Sequence, residues 1–399
     1  MVKLVALFIT NLLLLSHLHA QKPEHISFVH IGVNEGLSQN TIFDIAQDEQ
    51  GNMWFATYDG LNKYNGYDFT VYQHNEENPN SIGNNIIRAC TVDSQGRLWI
   101  GTEKGLSLYD AAQDMFYNFT REEKGKDPAI NAIVEINEKL LLLFSNKNEN
   151  LFSFDTETRQ FTQCPFYPIL LPSISPTSIS RQGDYIYIGS FNGVFVYSIS
   201  KNKLENIAPD RLQGKQILSI LRQSPICLWV GTEGSGLFKI NLQTKEVTNY
   251  TNIPGKKNSI SSNYIRSLTL DSQNTLWVGT INALNIYNEK DGSFERYTSD
   301  LQQSGSLSQT SVRNIFMDSQ GGMWLGTYYG GANYYHPLKN RFYNMQYVAK
   351  ENSLNCNTIG CITEDSRQGL WIGTNSGGVN YYNPKTQRFT HYTQKDGLA

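Results

Sequence analysis

The chain has 399 residues, with 33 lysines and arginines against 36 aspartates and glutamates and a formal net charge of -3. That balance, with no basic cluster, argues against a nucleic-acid partner. The length permits a large buried core, and the five cysteines, which lack zinc-ligand spacing, leave at least one thiol outside any internal disulfide.

Residues 1–20 read as a secretion signal. Lys3 gives a positive start, Leu4 to Leu15 an apolar stretch broken by Thr10 and Asn11, and Leu18-His19-Ala20 a small-residue cleavage site before Gln21. The stretch is short for a membrane span, and no second apolar run of spanning length follows. The expectation is an exported, periplasmic product with no membrane span in this chain. No cysteine stands at the cleavage point, so no lipid anchor is expected. Phe28-Val-His-Ile31 follows as an isolated strand-like run.

One phrase then recurs along the rest of the chain. It reads Trp54-Phe-Ala-Thr, Trp99-Ile-Gly-Thr, Trp229-Val-Gly-Thr, Trp277-Val-Gly-Thr, Trp324-Leu-Gly-Thr and Trp371-Ile-Gly-Thr, and it holds all six tryptophans. The interval is about 45 to 48 residues, except between Trp99 and Trp229, where it is close to three periods; a fixed period of this size marks a repeat architecture. Two degenerate copies fill the gap, with Phe144 and Tyr187 expected in the tryptophan slot, giving eight repeats.

Each repeat holds four short strand-like runs. The first, such as Ile42-Phe-Asp-Ile-Ala or Val312-Arg-Asn-Ile-Phe-Met, ends at a turn such as Asp48-Glu-Gln-Gly51 or Asp271-Ser-Gln-Asn274. Asp bonds nearby backbone N–H groups there, and Gly or Asn accepts positive φ. The tryptophan strand is second. A Gly-containing turn leads to the third, such as Leu106-Ser-Leu-Tyr109, and the fourth carries Phe-x-x-Tyr, as in Phe69/Tyr72 and Phe294/Tyr297. Four strands at this period describe a β-propeller of four-stranded antiparallel blades, an all-β fold.

In such a blade the tryptophans are expected to fill the space between neighbouring sheets. The glycine two residues on permits close sheet contact, and the threonine bonds the turn. Cys90 and Cys361 fall in first strands and read as small core residues. The run Phe28–Ile31 is expected to complete the Trp324 blade, since mixing strands from both chain ends avoids a bare edge. That makes the outer run Phe342–Tyr347 surplus and favours seven blades over residues 21–345. The eighth repeat, residues 346–399, then opens a second propeller that the chain truncates at Asp396-Gly-Leu-Ala399. The alternative is a single eight-bladed ring.

Candidate recognition residues sit beside the Gly-Thr turns and at the first-strand entries, which share one face of a propeller. The former are Tyr58, Asp59, Glu103, Lys104, Tyr328 and Tyr329; the latter are Arg88, Arg266 and Arg313, with Phe43 and Gly360 at the same position in other repeats. Guanidinium groups bind carboxylates and sulfates bidentately, so the three arginines suit an anionic ligand. The competing expectation is that each arginine pairs with a local carboxylate. No catalytic constellation is visible: His25, His30, His74, His336 and His391 fall at non-equivalent repeat positions, and Glu122-Glu123 reads as a solvated loop. One carboxylate per Asp turn is too few for calcium, and no metal or cofactor is expected.

The phrase Leu98-Trp-Ile-Gly-Thr-Glu-Lys-Gly-Leu-Ser-Leu-Tyr-Asp110, and its counterpart Leu370 to Asn383, resemble the two-component regulator propeller repeat. His25–Asn40 looks like the start of mature sensors of that type. The resemblance implies the periplasmic half of a hybrid two-component sensor histidine kinase of Bacteroidetes, often linked to polysaccharide use. It implies an oligosaccharide ligand, a second propeller and β-sandwich, a homodimeric parent, and a kinase absent from this chain. The fragment itself is not expected to be an enzyme. A scaffold or dimerisation propeller without small ligand, and an exported polysaccharide lyase or hydrolase, are the alternatives.

Overall fold

The computed structural model describes residues 26–121, 128–145, 150–164, 176–303, 305–338, 345–349, 352–386 and 388–398. The expected leader, Glu122-Glu123 and residues 342–344 of the surplus outer run lie outside them. Among the described residues, 32 strands form eight four-stranded antiparallel sheets. The first sheet shows the pattern: Ile42–Gln47, Met53–Thr57, Leu61–Tyr64 and Phe69–Tyr72 pair in chain order.

Residues 1–337 form one compact unit and 338–399 another. Within the first unit, hydrogen bonds between sheets form an unbroken series. Asp44 Oδ2 accepts from the N–H of Cys90 (3.0 Å), Glu135 Oε2 from Ser94 N–H (2.9 Å), and the Glu135 carbonyl from Arg181 Nη1 (2.5 Å). Ser180 Oγ donates to the Ile220 carbonyl (3.4 Å), Gln223 Nε2 to that of Asn274 (3.1 Å), and Thr269 Oγ1 to that of Ile315 (2.7 Å). Asn314 Nδ2 then donates back to Asp44 Oδ1 (2.9 Å), joining the seventh sheet to the first. The seventh sheet takes its outer strand from the other end of the chain: Val29–Ile31 pairs antiparallel with Ala332–Tyr335, Val29 opposite Tyr334 and Ile31 opposite Ala332.

The tryptophans take the packing role. Trp54, Trp99, Trp229, Trp277 and Trp324 are buried. Each indole N–H donates to the turn before its strand: to Asp48 (2.9 Å), Asp93 (2.7 Å), Asp271 (2.9 Å) and Asp318 (2.9 Å), and to Gln223 (2.8 Å) where the repeat lacks the acid. The strands they sit on, such as Leu98–Thr102 and Met323–Thr327, are buried at every residue because a sheet covers both faces. Gly326 shows why the phrase needs a small residue: a Cβ there would lie 2.6 Å from Ile42 Cγ2 on the adjoining sheet. Thr57 Oγ1 donates to the Gly60 carbonyl (2.8 Å), as expected of the turn.

Two assignments are corrected. In the third sheet Ser145 pairs with Asn150 as Thr102 pairs with Gly105, so Leu142 holds the tryptophan slot and Phe144 the glycine slot. Ser145 and Asn150 are two residues further apart in the chain than Thr102 and Gly105; a shift of two keeps the same sheet face, so the burial pattern hides it. Cys90 is buried, but Cys361 is exposed. It lies on Ile359–Glu364, which is exposed throughout, and Trp371 is only half-buried. The second unit has a single sheet among its described residues, and one sheet cannot bury both of its own faces.

Candidate functional site

First strands enter at the rim where second strands turn into third. The N–H of Glu103 donates to the Ile86 carbonyl (3.0 Å), that of Glu233 to Gln216 (2.9 Å) and that of Tyr328 to Ser311 (3.2 Å). At this rim the first strands carry β-bulges, between Ile42 and Asp44, Ile87 and Ala89, Ile265 and Ser267, and Val312 and Asn314. The bulged residues are Phe43, Arg88, Arg266 and Arg313. A bulge leaves its extra residue outside the ladder and re-aims the side chain, which explains why these four positions, alike in sequence, converge. The matching bulges of the fourth and fifth sheets carry Thr177 and Leu218. Phe43 and the three arginines thus occupy one arc, sheets six, seven, one and two, which are consecutive.

Along that arc cations and rings alternate. The Arg266 guanidinium carbon lies 5.4 Å from the ring centre of Tyr264 and 5.6 Å from that of Tyr328. Arg313 lies 5.7 Å from Tyr328 and 4.1 Å from Phe43. Arg88 lies 4.5 Å from Phe43 and 5.3 Å from Tyr58. Phe43 meets Tyr58 edge-on with centroids 4.5 Å apart, and Tyr329, largely exposed, stands 4.3 Å from Tyr328. Below the rim a cavity of about 430 Å³ is lined by Phe43, Asp44, Arg88, Asn131, Ser180, Arg181 and Asn314, among others. That volume falls within the range of small-ligand sites, about 300–1,000 Å³.

The three arginines differ in their partners. Arg88 Nε donates to Glu103 Oε1 (2.7 Å), and its Nη2 contacts the same carboxylate; here the local-pair expectation holds. Arg266 Nη1 reaches Ser311 Oγ (3.0 Å). Among the described residues neither Arg266 nor Arg313 has a carboxylate at ion-pair distance. Burial, with Arg266 and Arg88 nearby, pushes Arg313 down to about 10, so it stays charged at neutral pH. Burial, reinforced by Glu233, holds the Tyr264 hydroxyl above its ordinary value.

Asp44 adjoins Phe43 and spans three sheets. Its carboxylate accepts from Ile45 N–H (3.0 Å), Cys90 N–H (3.0 Å) and Asn314 Nδ2 (2.9 Å). Burial nonetheless raises it from 3.8 to about 6, partly offset by those bonds. A carboxyl whose folded value exceeds its unfolded one contributes stability that is full below about 4 and lost as pH rises through about 6. Lowering the pH from 7.5 to 5 is therefore expected to stabilise the wild-type chain relative to Asp44→Asn. Thermal midpoints of both across that range check it, and parallel pH profiles would rule it out.

Of the expected site residues, Arg88, Arg266, Arg313, Tyr58, Glu103 and Tyr328 come together, with Tyr329 beside Tyr328. Asp59 instead accepts from Gln73 Nε2 (2.9 Å), and Lys104 is exposed outside the alternating series. Tyr264 and Ser311 were not singled out in the sequence; each stands just before its first strand, and only the fold brings it to the arc. Repeat position marks Phe43 only as an arginine counterpart, although it is the ring that Arg88 and Arg313 share.

The described family model of the two-component regulator propeller matches residues 36–59, 81–104, 259–282, 306–329 and 353–376. Over 115 residues, or 27% of this chain, the sequence is 32% identical to histidine kinase P4 of Formosa agariphila, covering 8% of that protein. The extracellular domain of the hybrid two component system BT3049 from B. thetaiotaomicron superposes with a TM-score of 0.68 at 24% identity, over 93% of this chain and 55% of that one. That of BT4673 from the same organism gives 0.63 at 23% identity, over 92% and 54%. The WD40 β-propeller domain of Doa1 gives 0.53 at 11% identity, over 81% and 99%. The chain thus spans about half the length of these two-component relatives and under a tenth of the kinase. The structural likenesses establish a β-propeller fold.

Proposed function

We propose, from the premise that this chain carries two-component regulator propeller repeats, that it is the periplasmic ligand-sensing region of a hybrid two-component sensor. It would recognise an oligosaccharide from polysaccharide breakdown and signal to a histidine kinase outside these 399 residues. The observation that carries the reading is the arc of alternating rings and guanidinium groups over the cavity. Sugar rings present apolar C–H faces that pack on aromatic rings, and hydroxyls that accept from guanidinium N–H. The position also suits a sensor, because the residues come from four sheets and report on their relative placement.

In this reading residues 21–345 form the sensing propeller, and 346–399 begin a further set of repeats. The region is exported by its leader and works as part of a homodimeric parent with a second propeller and a β-sandwich. Kinase P4 and the two-component systems among the similar proteins support that context. Calorimetric titration of the full chain with a panel of neutral and acidic oligosaccharides tests the proposal. Saturable heat with one glycan class is the expected result. No binding to any member, with turnover of a parent polysaccharide, would replace the sensor by an enzyme.

A further inference from the structure

We propose that Arg266 and Arg313 together seat an oxyanion of the ligand, a carboxylate or a sulfate ester, and that Arg88 has a different task. The proposal rests on the reading of the rim as the ligand site. The three arginines are equivalent in the repeat, and the structure separates them. Arg88 commits Nε and Nη2 to Glu103, so its charge is already neutralised. Arg266 spends one donor on the Ser311 hydroxyl, and Arg313 faces no carboxylate among the described residues. Both lie over one ring, 5.6 and 5.7 Å from the centre of Tyr328. Packing over a ring face spends no N–H donor.

Two like charges held by the same ring, in a partly dehydrated rim, repel each other. The lowered value of Arg313 reflects that burial and that neighbour. An arriving anion relieves both penalties, and each planar fork can engage it with two parallel N–H bonds. The matching bulges of the fourth and fifth sheets carry the uncharged Thr177 and Leu218, so the arginines at these bulged positions lie on one side of the rim. The seat is therefore one-sided. It holds the acidic group over sheets six and seven and leaves the rest of the ligand to reach Phe43, Tyr58 and the cavity.

Three probes of matched length serve as the test on the full chain: oligogalacturonides, sulfated galactan oligosaccharides and neutral galactan oligosaccharides. At least one acidic probe is expected to bind about tenfold or more tighter than the neutral one, because only an ionised acceptor makes charge-assisted bonds to the two guanidinium forks. Its affinity should fall with added salt. Which acidic probe wins identifies carboxylate or sulfate as the group seated. Arg313→Gln should lose most of the acidic preference, Arg313→Lys should retain part of it, and the charge-neutral pair Arg88→Gln/Glu103→Gln should lose less than Arg313→Gln. Arg266→Gln provides a second reading if Arg313→Gln fails to fold. Equal binding of neutral and acidic probes, unchanged in Arg313→Gln and Arg266→Gln, overturns the seat while leaving an oligosaccharide sensor standing. Absence of binding by all three overturns both.

Discussion

Replacing Trp54 by alanine should cost about 3–5 kcal/mol of unfolding free energy, the range for truncating a large buried aromatic. Trp54 is fully buried. Its ring lies 4.9 Å from Tyr109 of the second sheet and 5.8 Å from Tyr72 of its own, and its indole donates to Asp48. It shares a core with Ile82, Ile87, Leu98 and Ile100, so its removal opens a cavity between two sheets rather than within one. Asp48 would also lose a donor. Trp371→Ala should cost less than half as much, since that ring is only half-buried and meets Tyr381 and Tyr392 of its own sheet. Urea unfolding followed by far-UV circular dichroism measures both. Equal losses at the two sites would contradict the inter-sheet role.

Phe28→Ala should destabilise the chain by a similar margin, about 3–5 kcal/mol, although it lies before the first repeat. Phe28 is buried against Tyr297 of the sixth sheet and Tyr335 of the seventh, with centroids 6.4 and 6.3 Å away. Its N–H also donates to the Gly305 carbonyl (2.8 Å). The next residue serves as the control. Val29 is 56% exposed, so Val29→Ala should stay within about 0.5 kcal/mol of wild type. Deleting the chain through Ile31 goes further, because it bares the edge Ala332–Tyr335. An exposed edge strand recruits other strands, so the truncated protein should elute from a sizing column as oligomers. A monomeric truncation of unchanged thermal midpoint would show that the N-terminal strand is dispensable.

The repeat made most of the fold legible. Trp, Gly and Thr recur because every sheet must solve the same problem, packing both faces against neighbours, and that problem leaves a fixed chemical mark. The partners of the tryptophans were half legible. The sequence marks the turn acids as turn formers, while their second task, accepting the indole N–H, needs the hairpin to bring Asp93 and Trp99 together. Leu142 was hidden, because a turn of different length moves the register without changing which face is apolar. Cys361 holds the place in its strand that the buried Ala89 holds in the second sheet, each opposite the glycine of the tryptophan phrase, but burial depends on a neighbouring sheet as well as on strand position.

The site divides in the same way. Repeat position picked out Arg88, Arg266 and Arg313 together, since the bulge that re-aims them follows from equivalent local pairing. It could not separate them. Glu103 lies fifteen residues beyond Arg88 and pairs with it only because two strands meet at one rim. Arg266 and Arg313 share Tyr328 because sheets six and seven are adjacent, and Phe43 joins them because Asn314 and Asp44 link the seventh sheet to the first. The sequence alone determined the strand pattern, the repeat and the residues free to vary, all of which are set by local pairing and by the period. Tertiary structure alone decided which charges are neutralised and which remain, because those contacts join different strands, from the fifteen residues between Arg88 and Glu103 to the 270 between Asp44 and Asn314.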